Sequence, residues 1–259
     1  MVSCRRMSVV YVLAHFDDEY CALPLIRQAA AQGRAQRFIH VVDYRNPKMA
    51  ARRRAESLTF LAKFGIAASS QLHLGAGTGW WDGELWRHAP YAYEALKAAV
   101  PEPVEQVVVP AWEGGHPDHD ICAALGVKLA AARGGVCDQI GLYQGKGLPW
   151  IFYRACSPLA ENGSTKSMTL SPAAWANWIA SVSAFPSQIK AWSGLMPAMF
   201  LTFAQQRGFR YQSLDPARIA QRPHPGGLLY ERLFKTPYAD VRAAVDLLAA
   251  DGKAPWAGP

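Results

Sequence analysis

Two patterns of apolar residues alternate along the first half of the chain. Val9-Val10-Tyr11-Val12-Leu13 is a short continuous apolar run, which predicts a strand buried on both faces over residues 8–14. Runs of the same kind predict strands over 37–42, 71–74, 106–110 and 140–143. Between them the apolar residues recur at helical spacing. Leu23, Ile26 and Ala30 predict a helix over 18–32 that stops at Gly33. Asn46-Pro47 opens a longer one, with Ala51, Ala55, Leu58, Leu61 and Ala62 on one face and an end near Phe64-Gly65. Two more are predicted over 89–100, closed by Pro101 and Pro103, and over 117–133. Strand–helix alternation of this kind predicts an α/β fold built on a parallel sheet.

The second half loses the alternation. Residues 144–170 are rich in Gly, Pro, Ser and Asn and read as irregular structure. Ser171-Pro172 caps a helix that contains Trp175, Trp178, Ile179 and Val182. Residues 184–206 read as helix broken at Pro186 and Pro197, 209–227 as a polar connection, 228–234 as a last strand and 239–250 as a terminal helix. The expected organisation is one domain, with a catalytic core over 1–145 and a mixed region over 146–259 that packs near the site and shapes the substrate pocket.

Composition narrows the classes. The 259 residues are 51% apolar, enough for one large core with an appendage. Net charge is +7, yet the basic residues are scattered apart from Arg52-Arg53-Arg54, so no nucleic-acid stripe is present. A mild attraction to acidic substrates or phospholipid head groups remains. Five Cys in no CxxC spacing favour reduced thiols and a cytoplasmic setting. No signal-peptide pattern and no apolar run of membrane-spanning length is visible. A homo-oligomer stays open, since the sequence does not give the oligomeric state.

The chemistry concentrates in two stretches, Leu13-Ala14-His15-Phe16-Asp17-Asp18-Glu19 and Glu113-Gly114-Gly115-His116-Pro117-Asp118-His119. Each follows a predicted strand. In open parallel sheets ligands sit beyond the carboxyl ends of the strands, where strand order reverses, so the two stretches are expected to meet. His15, Asp18 and His119 supply two imidazoles and a carboxylate, a three-ligand metal set with a fourth position left for water. Zinc suits it, and other divalent first-row metals do too. Asp17 is placed to take the water's proton. His116 could donate to, or hold the charge of, an oxyanion. Asp118 could orient His116 or a ligand histidine. Together these groups describe a metal-assisted hydrolase for an amide.

His-Phe-Asp-Asp-Glu (15–19) and His-Pro-Asp-His (116–119) resemble the paired signatures of the PIG-L/LmbE-like zinc-dependent N-deacetylases. Arg53-Arg54-Ala55-Glu56, followed by Phe64-Gly65-Ile66, resembles that family's Arg-x-x-Glu helix, and Leu74 with Trp81-Asp82-Gly83 resembles its short strand ending in Asp-Gly. The resemblance covers about residues 8–133. Phe16 departs from it, since the family has Pro there. The resemblance implies a Rossmann-like fold and a zinc site of His15, Asp18 and His119, with Asp17 as general base. It also implies removal of acetyl from an amino-sugar-containing small molecule or glycan precursor, with Arg53 and Asp82 holding sugar hydroxyls.

Other readings of the same residues compete. Arg53 can simply share a solvated face with Arg52 and Arg54, and Asp82 can be only a turn residue. Trp80 and Trp81 can stack on a sugar ring or pack in the core. Glu19 supports the first helix turn, and His224, among turn residues, reads as structural. A glycan-binding protein that keeps the metal site without catalysis is the main rival to the hydrolase. Gly75-Ala76-Gly77-Thr78-Gly79 resembles a methyl-donor or dinucleotide loop. It follows a third strand and leads into Trp-Trp-Asp-Gly rather than a helix, which argues against that use.

Overall fold

A computed structural model describes residues 7–206 and 208–250. Its centre is a seven-stranded sheet. Five strands are parallel: β1 (Met7–Leu13), β2 (Gln36–His40), β3 (Gln71–His73), β4 (Val104–Pro110) and β5 (Val136–Ile140). A hairpin of β6 (Tyr143–Gln144) and β7 (Arg154–Ala155) stands apart, and β8 (Thr165–Met168) and β9 (Phe209–Ser213) extend the sheet antiparallel at one edge. The order is β3-β2-β1-β4-β5-β9-β8. Order therefore reverses between β1 and β4, the two strands that carry the motifs, as the sequence predicts.

The helices are α1 (Asp18–Cys21), α2 (Leu23–Ala31), α3 (Pro47–Ala62), α4 (Ala89–Ala99) and α5 (Pro117–Arg133), then α6 (Pro172–Ser181), α7 (Ile189–Gln206), α8 (Pro216–Ile219), α9 (Leu229–Leu233) and α10 (Tyr238–Ala249). They cover both faces of the sheet. The run in β1 divides by the two-residue period of a strand. Val10 and Val12 join α4, α5 and α10 in one core, while Val9, Tyr11 and Leu13 join α2, α3, α6 and α7 in the other. The region after residue 145 contributes to both cores, through Trp178, Trp192 and Phe203 on one side and Val241 and Val245 on the other.

Several predicted elements are corrected. The helix over 18–32 is two helices, because Pro24 has no N–H for the carbonyl of Tyr20. That carbonyl accepts the indole N–H of Trp178 at 2.9 Å instead. The fifth strand is 136–140 rather than 140–143. Its middle, Asp138-Gln139, is buried: Asp138 accepts from Lys166 Nζ at 2.8 Å and Gln139 Oε1 from Trp112 N at 3.0 Å. Residues 154–155 and 165–168, read as irregular, are strands, and so is 209–213 within the expected polar connection. Residues 228–234 hold a helix rather than a strand, where Glu231 Oε2 accepts the Leu228 N–H at 2.8 Å and caps it. The expected break falls at Phe185, and Pro186 opens a 3₁₀ turn over Pro186–Gln188 that leads into α7, which continues through Pro197. Ser193, whose carbonyl loses its donor there, faces solvent.

The glycine loop after β3 is a turn. A Cβ at Gly75 would sit 2.2 Å from the Val41 carbonyl oxygen, and Gly77 and Gly79 have φ of +70° and +76°. These glycines serve close approach and tight turning, and no helix follows until residue 89 apart from a single 3₁₀ turn at Leu85–His88. Cys21, Cys122, Cys137 and Cys156 are free and buried, and Cys4 lies outside the described residues. Among the described residues no helix is long and apolar enough to cross a membrane.

Candidate active site

The first motif begins where β1 ends. Asp18, first residue of α1, folds its carboxylate back so that Oδ2 accepts the Ala14 and His15 N–H groups at 3.0 and 2.9 Å. Phe16 is fully buried; its N–H donates to the Tyr44 hydroxyl at 3.1 Å, and its ring lies 4.4 Å from that of His40. Proline has no N–H to make the Tyr44 bond. Asp17 is held at φ +132°, ψ −15°, a strained geometry for a residue with a Cβ. Glu19 does more than support a helix turn. It is fully buried, accepts the Asp17 N–H at 3.1 Å, meets His40 Nε2 at 3.1 Å and accepts the Ser57 hydroxyl.

The second motif starts α5. His116 is its N-cap, and Nδ1 accepts the backbone N–H of Asp118 at 3.2 Å. A neutral His116 therefore carries its proton on Nε2, 3.6 Å from Asp82 Oδ1. Burial, and then the charge on His15, pull His116 down to about 3, so it is uncharged at neutral pH. Asp118 accepts the Gly83 and Leu85 N–H groups at 2.6 and 3.0 Å. It thereby ties the 75–88 segment, with Asp82, against the motif, and its Oδ2 lies 3.5 Å from His15 Nε2.

His15, Asp18 and His119 come together although about a hundred residues separate them. His15 Nδ1 is 3.2 Å from His119 Nε2, His119 Nε2 is 3.3 Å from Asp18 Oδ1, and His15 Nδ1 is 3.8 Å from Asp18 Oδ2. Ligands bound at about 2.0–2.1 Å in a tetrahedron stand roughly 3.3–3.4 Å apart, so the trio fits one divalent ion. The outer nitrogen of His15 meets Asp82 Oδ1 at 3.1 Å, the carboxylate backing common for a ligating imidazole. His116 is close as well: the three imidazoles offer nitrogens all within 4.8 Å of one another. Burial works against charge on His15, yet Asp82, Asp118 and Asp18 hold its pKa well above the usual value. Burial likewise opposes charge on Asp18, but His119 and His15 keep its carboxyl well below the ordinary range. Burial, then Asp18, push Asp17 the other way, well above it. The site thus has a surplus of carboxylate around buried imidazoles, a set suited to a cation.

A cavity of about 180 Å³ opens over these groups. Asp17, Asp82, Arg53 and the three histidines form its polar floor, and Leu142, Trp192, Leu195, Met199 and Phe234 its apolar wall. Arg53 also lies over the Tyr44 ring at 5.1 Å, so it is more than a solvated neighbour of Arg52. Trp81 does not line the cavity; the Arg45 guanidinium covers its ring at 5.1 Å. Trp80 belongs to the core. His224 is buried in its turn, with Nδ1 on the Pro225 carbonyl at 2.8 Å.

Sequence reasoning missed the brace behind the site. Glu113 is fully buried, and its Oε1 accepts the N–H groups of Leu142 and Tyr143, both in the cavity wall, at 2.7 and 2.9 Å. Asp120 Oδ1 accepts the Glu113 and Gly114 N–H groups, each at 3.1 Å. The only signal was a second and third carboxylate flanking the motif. Burial raises Glu113 from the usual range to about 8 and Asp120 to about 7. A carboxyl raised by folding contributes stability below its unfolded pKa and loses that contribution as pH rises through its folded pKa. Thermal stability is therefore expected to fall between about pH 4 and about pH 8. Glu113→Gln keeps the Oε1 acceptor and removes one titration, so its melting temperature should vary less over that range. An unchanged pH slope would refute the assignment.

Residues 10–130 match the family model described as PIG-L: GlcNAc-PI de-N-acetylase. A comparison with curated proteins gives no match. Among solved structures, a deacetylase of teicoplanin biosynthesis is similar with TM-score 0.61 and 16% identity, over 80% of this chain and 96% of the other. N,N'-diacetylchitobiose deacetylase from Pyrococcus horikoshii is similar with TM-score 0.50 and 13% identity, over 82% and 84%. The 4-carboxy-2-hydroxymuconate hydratase of Pseudomonas putida KT2440 is similar too, with TM-score 0.54 and 13% identity over 81% and 95%, so the fold alone does not select the reaction. The matched residues, 10–130, are the segment that carries both motifs and their strands, so the likeness of this chain to the PIG-L model lies in the part that builds the site.

Proposed function

We propose that the protein is a divalent-metal hydrolase, with zinc as the metal, that removes the N-acetyl group from an amino-sugar-containing substrate. The convergence of His15 Nδ1, His119 Nε2 and the Asp18 carboxylate at the floor of a cavity carries this reading. His15, Asp18 and His119 hold the cation, which when bound acidifies water and polarises the amide carbonyl. Asp17 takes the proton of the attacking water at its carboxylate. His116, neutral and protonated on Nε2, donates to the developing oxyanion or to the departing amine. Asp118 positions rather than reacts, since both its oxygens hold backbone N–H groups of the Asp82 segment.

Arg53 and Asp82 border the cavity and hold sugar hydroxyls. Trp81 lies outside the lining and is left out of the substrate contacts. The chain's second half, through α7 and Phe234, shapes the apolar side of the pocket. The test is release of acetate and free amine in equal amounts from N-acetylglucosamine derivatives by the metal-loaded protein. Saturable sugar binding without acetate release would identify a glycan-binding protein instead.

A further inference from the structure

We propose that the mouth of the cavity docks on an anionic lipid surface. Three consecutive apolar side chains between β6 and β7 face solvent: Trp150 at 80% exposure, Ile151 at 60% and Phe152 at 59%. An apolar tip of this kind, led by Trp, suits the boundary between lipid head groups and acyl chains. The tip is fixed to the mouth. Arg232 Nη1 donates to the Leu148 carbonyl at 2.8 Å and Nη2 to that of Gly145 at 3.2 Å, joining the segment to α9. On its other side the Tyr153 hydroxyl lies against Gly194 of α7, 2.7 Å from where a Cβ would stand. Phe234, directly after α9, is 44% exposed, yet it lines the cavity and meets the His116 ring at 4.4 Å. The tip thus stands beside the pocket: Tyr153, the next residue, has its ring 6.0 Å from that of Tyr143 in the cavity lining.

Charge selects the partner. Between Asp138 and Asp215 the chain has one acidic side chain, Glu161, against Lys146, Arg154, Lys166, Lys190, Arg207 and Arg210. Lys146 is paired with Glu161 and Lys166 with Asp138. Among the described residues Arg154 and Lys235, which flank the tip and Phe234, are exposed and reach only backbone carbonyls, those of Lys146 and Arg232. Cations around an apolar tip match anionic head groups over acyl chains. A twofold contact with a second copy would instead set these like charges against each other.

The full chain is sedimented with vesicles of phosphatidylcholine alone, or with about 30% phosphatidylglycerol, at ionic strength near 0.1 M. Binding to the anionic vesicles is expected to exceed binding to the neutral ones by about tenfold and to weaken as salt is added. The double variant Trp150→Ser/Phe152→Ser should lose roughly tenfold of that binding, because it removes the inserted apolar area. Its turnover of a water-soluble N-acetylglucosamine derivative should be unchanged. Arg154→Glu/Lys235→Glu should abolish the preference for anionic vesicles, and its circular dichroism should match the parent chain. Equal binding of the parent chain to both vesicle types, or undiminished binding by the first variant, would overturn the proposal. So would a dimer in analytical ultracentrifugation that the first variant dissolves. Sedimentation needs no turnover, so this result stands or falls separately from the deacetylase reading.

Discussion

Asp17→Asn is expected to keep the fold and the metal while losing about 10²–10⁴ of kcat, the usual contribution of a positioned general base. The substitution isolates proton transfer because the Asp17 carboxylate does nothing structural. It makes no capping bond to α1. The strained backbone at φ +132° survives too, since Asn and Asp are the non-glycine residues that best tolerate positive φ. The backbone N–H of Asp17 still donates to Glu19, so the loop keeps its anchor. The neighbouring carboxylate is different. Asp18 accepts two backbone N–H groups of the same loop, and its removal would disturb loop and metal together. Metal content by elemental analysis and acetate release under saturating substrate separate these effects. Normal turnover by Asp17→Asn would end the assignment of the base.

The parts of the fold legible in the sequence are those where local pattern and tertiary environment agree. β1 is a continuous apolar run because both its faces are buried, and α3 and α5 begin at Pro after a capping side chain, Asn46 or His116. The misread parts are those where a distant group changes the local balance. β5 is polar in its middle because Lys166 and Asn162, from outside the parallel strands, donate to the Asp138 carboxylate and to Gln139 Oε1. The break after α1 is tolerated because the Trp178 indole reaches the carbonyl that Pro24 leaves free. In the site, the two motifs could be read because their strands are neighbours across the reversal of strand order. The approach of Asp82 could not, since it depends on Asp118 binding the N–H groups of Gly83 and Leu85. Nor could the individual residues of the apolar wall, Leu142, one face of α7 and Phe234, although the second half was expected to shape the pocket.

Removing the cation is expected to reduce acetate release to background, and the ligand assignment can be separated from its nearest rival. His116 lies as close to His15 as His119 does, with ring centroids at 4.7 and 5.2 Å, so proximity alone does not choose between them. Hydrogen bonding does. His116 spends Nδ1 on the Asp118 N–H and directs Nε2 towards Asp82, whereas His119 Nε2 faces both His15 Nδ1 and the Asp18 carboxylate. Dialysis against a chelator should therefore inactivate the protein without unfolding it, because Glu113, Glu19 and Asp120 brace the loops through bonds that need no metal. Zinc or another divalent first-row ion should restore activity. His119→Ala should lose the bound metal and the activity together. His116→Ala should hold the metal and lose about 10²–10³ of kcat, the usual effect of removing one oxyanion donor. The opposite pattern, with metal lost from His116→Ala and kept by His119→Ala, would move the ion to the triple-imidazole side of the site. His116 would then be a ligand, and the oxyanion would need another donor.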